Sequence, residues 1–90
     1  METVRKRILF SGRVQGVGFR WKCSVLADSL RLTGTVRNLY NGLVEAELQG
    51  DERAIYELIS RMKQQRFVDI TDCDIQTIPV KDERGFTIID

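Results

Sequence analysis

Apolar and polar positions alternate along VRKRILFSG, residues 4–12, and the stretch is rich in branched residues, which predicts a strand. Ile8 and Phe10 fall on one face of it, Arg7 and Leu9 on the other. The period then changes. Phe19, Cys23, Leu26, Ala27 and Leu30 recur at i, i+4, i+7, i+8 and i+11, the apolar stripe of a helix, and Gly34 closes that element. TVRNLYNGLVEAELQG offers two strands around Asn41-Gly42, a strong hairpin signal. A two-residue turn there would put Val36 and Asn38 on the face of Glu45 and Glu47. A three-residue turn, Tyr40-Asn41-Gly42 with Gly42 left-handed, instead pairs Leu39 with Leu43. It gathers Val36, Asn38, Val44, Ala46 and Leu48 on one face, leaving Arg37 and Glu45 on the other. A buried face should be consistently apolar, so the second register is the expected one, with Asn38 as the single polar group inside.

Asp51 is placed to cap a second helix, in which Ile55, Leu58, Ile59 and Met62 form an i, i+3, i+4, i+7 stripe. Ile70, Cys73 and Ile75 mark a strand ending near Pro79, and residues 85–89 make a short last one. Two helices with one apolar stripe each can cover one face of a four-stranded sheet. The expected fold is therefore an α+β, ferredoxin-like βαββαβ sandwich, with both helices on one face of an antiparallel four-stranded sheet, plus a short C-terminal strand. Ninety residues supply one core, so residues 1–90 are expected to form a single domain, and a monomer.

Composition narrows the function. A net charge of +1 provides no strong field for nucleic acid or an anionic membrane, and neither is expected as a partner. The run Arg5-Lys6-Arg7 reads as a solvated strand start. The N-terminal stretch has no apolar run long enough for a signal peptide or membrane span. Cys23 and Cys73 are far apart, there is no CxxC, and the chain has no histidine, which removes the usual zinc patterns. Two reduced core thiols in a cytoplasmic protein are expected, with no metal and no cofactor.

The chemistry-bearing stretch is GRVQGVGFR, residues 12–20, at the join of the first strand and helix. Glycines at 12, 16 and 18 permit left-handed angles and let backbone N–H groups converge on an anion. No Ser, Thr, Asp or Asn stands at the helix start, so its first N–H donors lack a side-chain cap, and a phosphate would serve as one. Arg20, in the first turn, can fork the same phosphate. The residues fit equally a plain strand-to-helix turn with Arg20 solvated. The familiar phosphate loops do not match: GxxxxGK[ST] is missing, Trp21 stands where a third dinucleotide-loop glycine belongs, and Val14 occupies the place of a cysteine nucleophile six residues before Arg20. Ser11 reads as a strand residue.

A site with an anion cradle but no imidazole or thiolate has no good general acid for an alkoxide leaving group. An acyl phosphate expels a carboxylate of pKa near ~4, which leaves unaided. Such a site needs something to position water, and the neutral amide of Asn38 fits. The other reading of Asn38 is a buried amide bonded to backbone near a strand end.

GRVQGVGFR, followed by GTVRN and NGLVEAELQG, resembles the acylphosphatase family, small hydrolases of carboxyl–phosphate bonds, over nearly the whole chain. The resemblance implies the same βαββαβ sandwich and hydrolysis of a small-molecule acyl phosphate, with phosphate or sulfate as a competing anion. It implies that Arg13, Val14, Gln15, Gly16, Val17, Gly18, Phe19 and Arg20 bind the phosphate, and that Arg20 and Asn38 are catalytic, Asn38 orienting the attacking water. Departures from the family pattern fall at Leu30-Arg31-Leu32, usually Leu-Gly-Leu, at Asn41-Gly42-Leu43-Val44, and at Gln64–Phe67. They bear on turns and substrate preference. Three alternatives stand beside this: an RNA-binding module of the same fold, for which only Phe10 offers a strand aromatic; an anion sensor without turnover; and the leading domain of a larger carbamoyl-transfer protein. Trp21 and Tyr40 are candidates to line an acyl pocket, or simply to pack.

Overall fold

The computed structural model describes residues 2–90, in the order β1 (Thr3–Arg13), α1 (Phe19–Ser29), β2 (Thr33–Asn38), β3 (Val44–Asp51), α2 (Glu52–Lys63), β4 (Asp69–Ile78) and β5 (Phe86–Ile89). The strands lie in the order β4-β1-β3-β2-β5. The first four pair antiparallel, with β1 and β3 at the centre, as a ferredoxin-like sandwich requires. The terminal strand departs from the expected sheet: β5 joins it as a fifth strand, parallel to β2, with Val36 beside Ile88. It is seated by a hydrogen bond from the Gly34 N–H to the Gly85 carbonyl, 3.1 Å.

Helix α2 follows from its pattern. Asp51 caps it by accepting from the Arg53 N–H at 3.2 Å, and Ile55, Leu58, Ile59 and Met62 are all buried. Helix α1 buries Phe19, Cys23 and Ala27, while Leu26 and Leu30 reach the core only in part. Both stripes meet Ile8, Phe10, Val36, Val44, Ala46 and Leu48 on one sheet face. The hairpin takes the three-residue turn: Leu39 N–H donates to the Leu43 carbonyl at 2.8 Å, Gly42 has φ 91°, and Asn38 pairs with Val44.

The basic run on β1 is not a solvated strand start. Arg5 is 1% exposed, its guanidinium held by Glu47 (2.8 Å), Glu83 (2.8 Å) and Gln49 (3.1 Å). Lys6, also buried, donates to Thr77 at 2.7 Å and pairs with Glu52 at 3.1 Å. Near-neutral total charge hid this, because it comes from opposite charges brought together from distant parts of the chain.

Candidate active site

The loop between β1 and α1 is pinned from below by its own side chains. Val14 is fully buried and Phe19 nearly so, with the Phe19 ring tilted against Phe10 at a centroid distance of 5.0 Å. Between these anchors Gly16 and Gly18 both take φ 75°, a conformation that β-carbon-bearing residues rarely adopt. Gly18 is the N-cap of α1, and no side chain caps the helix. The backbone N–H groups of residues 15–20 find no protein acceptor among the described residues. A tight connection alone would leave those donors to solvent. Held between two core anchors, they form a fixed cluster of positive dipole ends.

Arg20 is half-buried, with Nη1 3.3 Å from Oδ1 of the exposed Asp90, so an anion entering here meets a carboxylate already beside the guanidinium. Asn38, at the end of β2, is exposed, and its side-chain amide makes no hydrogen bond among the described residues. This overturns the buried-amide reading: Asn38 is the last residue of the strand and opens onto a cavity instead of packing into the core. A cavity of about 220 Å³ lies between these groups. From the loop it is lined by Val14, Gly16, Gly18 and Phe19, with Arg20 and Asn38 on the same cavity. Trp21, Ile88 and Asp90 complete it, whereas Tyr40 is fully exposed on the hairpin and takes no part.

Of the residues predicted from the loop, Arg13, Gln15 and Val17 do not line the cavity with their side chains. Arg13 is exposed beside Asp69 at the end of β1, and Val17 packs in part against the core. Gln15 does something the sequence did not announce: its side-chain amide donates to the Leu39 carbonyl at 2.8 Å and the Leu43 carbonyl at 2.9 Å. These are the two ends of the hairpin turn, one residue beyond Asn38. The loop that carries the unpaired donors is thus tied to the strand that carries Asn38. Ile88 and Asp90 were also missed, because nothing in the short segment 85–90 shows which sheet edge it will join.

Neither cysteine offers a nucleophile. Burial pushes the Cys23 thiol up to about 12, and burial also raises that of half-buried Cys73. Among the described residues no three His, Cys, Asp or Glu side chains gather as metal ligands would.

The acylphosphatase family model matches residues 6–88. An acylphosphatase of Clostridium beijerinckii is 41% identical over 87 residues, 94% of this chain and 97% of the relative. The chain belongs to the acylphosphatase family. The crystal structure of an acylphosphatase from Bacillus subtilis superposes with a TM-score of 0.91 at 32% identity, covering 97% of this chain and 99% of that one. Full-length HypF also contains a similar region, with a TM-score of 0.85 at 28% identity over 99% of this chain but 12% of HypF. No helix among the described residues is long and apolar enough to cross a membrane.

Proposed function

We propose that the chain hydrolyses the carboxyl–phosphate bond of small-molecule acyl phosphates, with the phosphoryl group held by the N–H groups of the 12–20 loop and by Arg20, and with Asn38 orienting the attacking water. One observation carries this: Arg20 on α1 and Asn38 on β2 open onto one cavity whose floor is the loop with unpaired N–H donors. Family membership gives the reaction, since relatives alike over nearly the whole chain are acylphosphatases.

Water attacks phosphorus, the bond from phosphorus to the acyl oxygen breaks, and carboxylate and inorganic phosphate leave, the water proton passing to product or solvent. The carboxylate needs no acid, its pKa being near ~4. Positive donors are needed where the equatorial phosphoryl oxygens carry charge, and the loop and Arg20 supply them without reorganisation. Asn38 is neutral, so it can hold a water beside that charge without repelling the phosphate. The reading extends to a single-domain cytoplasmic monomer with no cofactor and no nucleic-acid or membrane partner. Two unpaired cysteines and a net charge of +1 support that part.

The test is turnover of acetyl and benzoyl phosphate, with p-nitrophenyl phosphate as a monoester that should not react. Asn38→Ala should lose on the order of 10²-fold in kcat and retain phosphate affinity by calorimetry. Arg20→Lys should raise KM and lower kcat together, because a point charge cannot replace a fork. An Asn38→Ala enzyme within a few-fold of wild type would remove Asn38 from the mechanism.

A further inference from the structure

Arg5, Glu47 and Gln49 alternate along β1 and β3 with the core-facing Ile8, Ala46 and Leu48, so they lie on the sheet face away from the helices. There the chain between β4 and β5 crosses from one edge of the sheet to the other. Of this connection, residues 79–84, only Glu83 is not exposed. Two side chains pin it. Gln49 holds both backbone groups of Lys81, donating to its carbonyl at 2.7 Å and accepting from its N–H at 3.0 Å. Arg5 forks the Glu83 carboxylate at 2.8 and 3.2 Å. With two bonds to Glu47 and one to Gln49, all five guanidinium N–H donors are used. The strand that follows is held less firmly. Only Phe86 of β5 reaches the core, and only in part, while Thr87, Ile88 and Ile89 are exposed.

We propose that residues 79–90 open and close as one unit, and that Arg5 and Glu83 are the positioning pair that keeps Ile88 and Asp90 on the cavity. The pair acts from a distance. Gln49 stands beside Thr33 at the start of β2, whereas Asn38 ends that strand. The four residues from Gly34 to Asn38 span about 13 Å at ~3.3 Å each. A segment with little buried apolar surface opens locally at low cost, so a charged clasp can dominate its equilibrium. The clasp also has a built-in response. If Glu83 loses its charge, Arg5 is left under-compensated where it is buried, and lifting the strap is what returns the guanidinium to water. The loop, Arg20 and Asn38 all lie outside residues 79–90, so opening leaves them in place.

Amide hydrogen exchange read residue by residue in wild type and Glu83→Gln tests the unit. Hydrogen bonds to charged groups are worth roughly tenfold or more each in an equilibrium, so the Lys81 and β5 amides should exchange about 10- to 100-fold faster. Amides of α2 and of the β1–β3 pairing should stay near wild type. Faster exchange at Lys81 alone would separate the strap from β5 and overturn the unit. An equal rise in α2 would mean general destabilisation and overturn it too. Glu83→Lys, which sets like charges together, carries the test to the cavity. With Asp90 drawn away from Arg20, calorimetry should show inorganic phosphate bound roughly two- to fivefold more tightly, the worth of an exposed ion pair. Asp90→Asn should give the same gain in wild type and add nothing in Glu83→Lys. Gains that simply add would show that Glu83 and Asp90 act independently, and would overturn the coupling.

Discussion

Gln15 is the side chain through which the loop and the Asn38 strand hold each other, and its removal separates folding from chemistry. Gln15→Met keeps the length and deletes two donors, those reaching the carbonyls of Leu39 and Leu43 at 2.8 and 2.9 Å. Each such bond is worth about 0.5–1.5 kcal/mol net. Both carbonyls keep another donor: Gly42 N–H on Leu39 at 3.2 Å and Leu39 N–H on Leu43 at 2.8 Å. No acceptor is orphaned, so the loss belongs at the low end, about 1–2 kcal/mol for the pair. At ~4–8 °C per kcal/mol for a domain of this size, Tm should fall by roughly 4–16 °C. The kinetic effect should be larger in proportion. Freed from the loop, the hairpin base shifts Asn38 relative to the phosphate, and a displacement of about 1 Å can cost on the order of 10²-fold. Expected, then, is a kcat lower by roughly 10- to 100-fold with phosphate inhibition within a few-fold of wild type. Gln15→Glu should be worse in both respects, because its carboxylate faces two carbonyl oxygens. Thermal melts beside benzoyl phosphate kinetics decide the matter. A lowered Tm with wild-type kcat would make Gln15 a structural tie only, and lost phosphate inhibition would mean that its amide touches the anion instead.

Two further outcomes concern stability. Arg31 sits at φ 59° just past α1, where Leu32 N–H returns to the Ala27 carbonyl at 2.8 Å. Arg31→Gly relieves ~1–2 kcal/mol of left-handed strain against ~0.4–1 kcal/mol of added freedom in the unfolded chain, so urea unfolding should show a gain on the order of 0.5–1 kcal/mol, and a loss would refute the strain. Burial pushes the Glu45 carboxyl up, but hydrogen bonds from Arg37 and Arg7, each 2.8 Å, outweigh it and hold the group below its ordinary value. A depressed carboxylate contributes stability above its unfolded pKa of ~4.3 and loses it as pH falls through the folded value. Wild-type stability should therefore drop below about pH 4.5 more steeply than that of Glu45→Gln, and equal slopes in acid urea titrations would refute the assignment.

Much of the fold was legible because it rests on local rules. The α2 stripe, the Asp51 cap and the three-residue turn at Tyr40–Gly42 each follow from residues a few positions apart, and each is found as expected. The candidate site was legible for a related reason. Gly16, Gly18 and Arg20 sit within one short loop, and the hairpin register brings Asn38 to the inner face at the strand end. What escaped depends on distant partners. Arg5 is buried because Glu47 and Glu83 come to it from 42 and 78 residues away, and no window along β1 contains either. Arg31 and Phe67, both with positive φ, carry no left-handed signal of their own, since such positions are normally read from glycine.

The fifth strand shows how a short, uninformative segment comes to shape the site. Phe86 to Ile89 is a short run of aromatic and β-branched residues with no turn that names a partner. Its start is held at Gly34, whose N–H donates to the Gly85 carbonyl, and from there the chain runs parallel to β2. Parallel pairing then carries Ile88 and Asp90 toward the same end of the sheet as Asn38. Antiparallel addition to that edge would have run the chain the other way, with Asp90 far from Arg20. The contact between Arg20 and Asp90, like the place of Ile88 on the cavity, thus follows from strand direction. In the proposed reading the loop and Asn38 perform the chemistry, and the edge strand brings Ile88 and Asp90 to the same cavity.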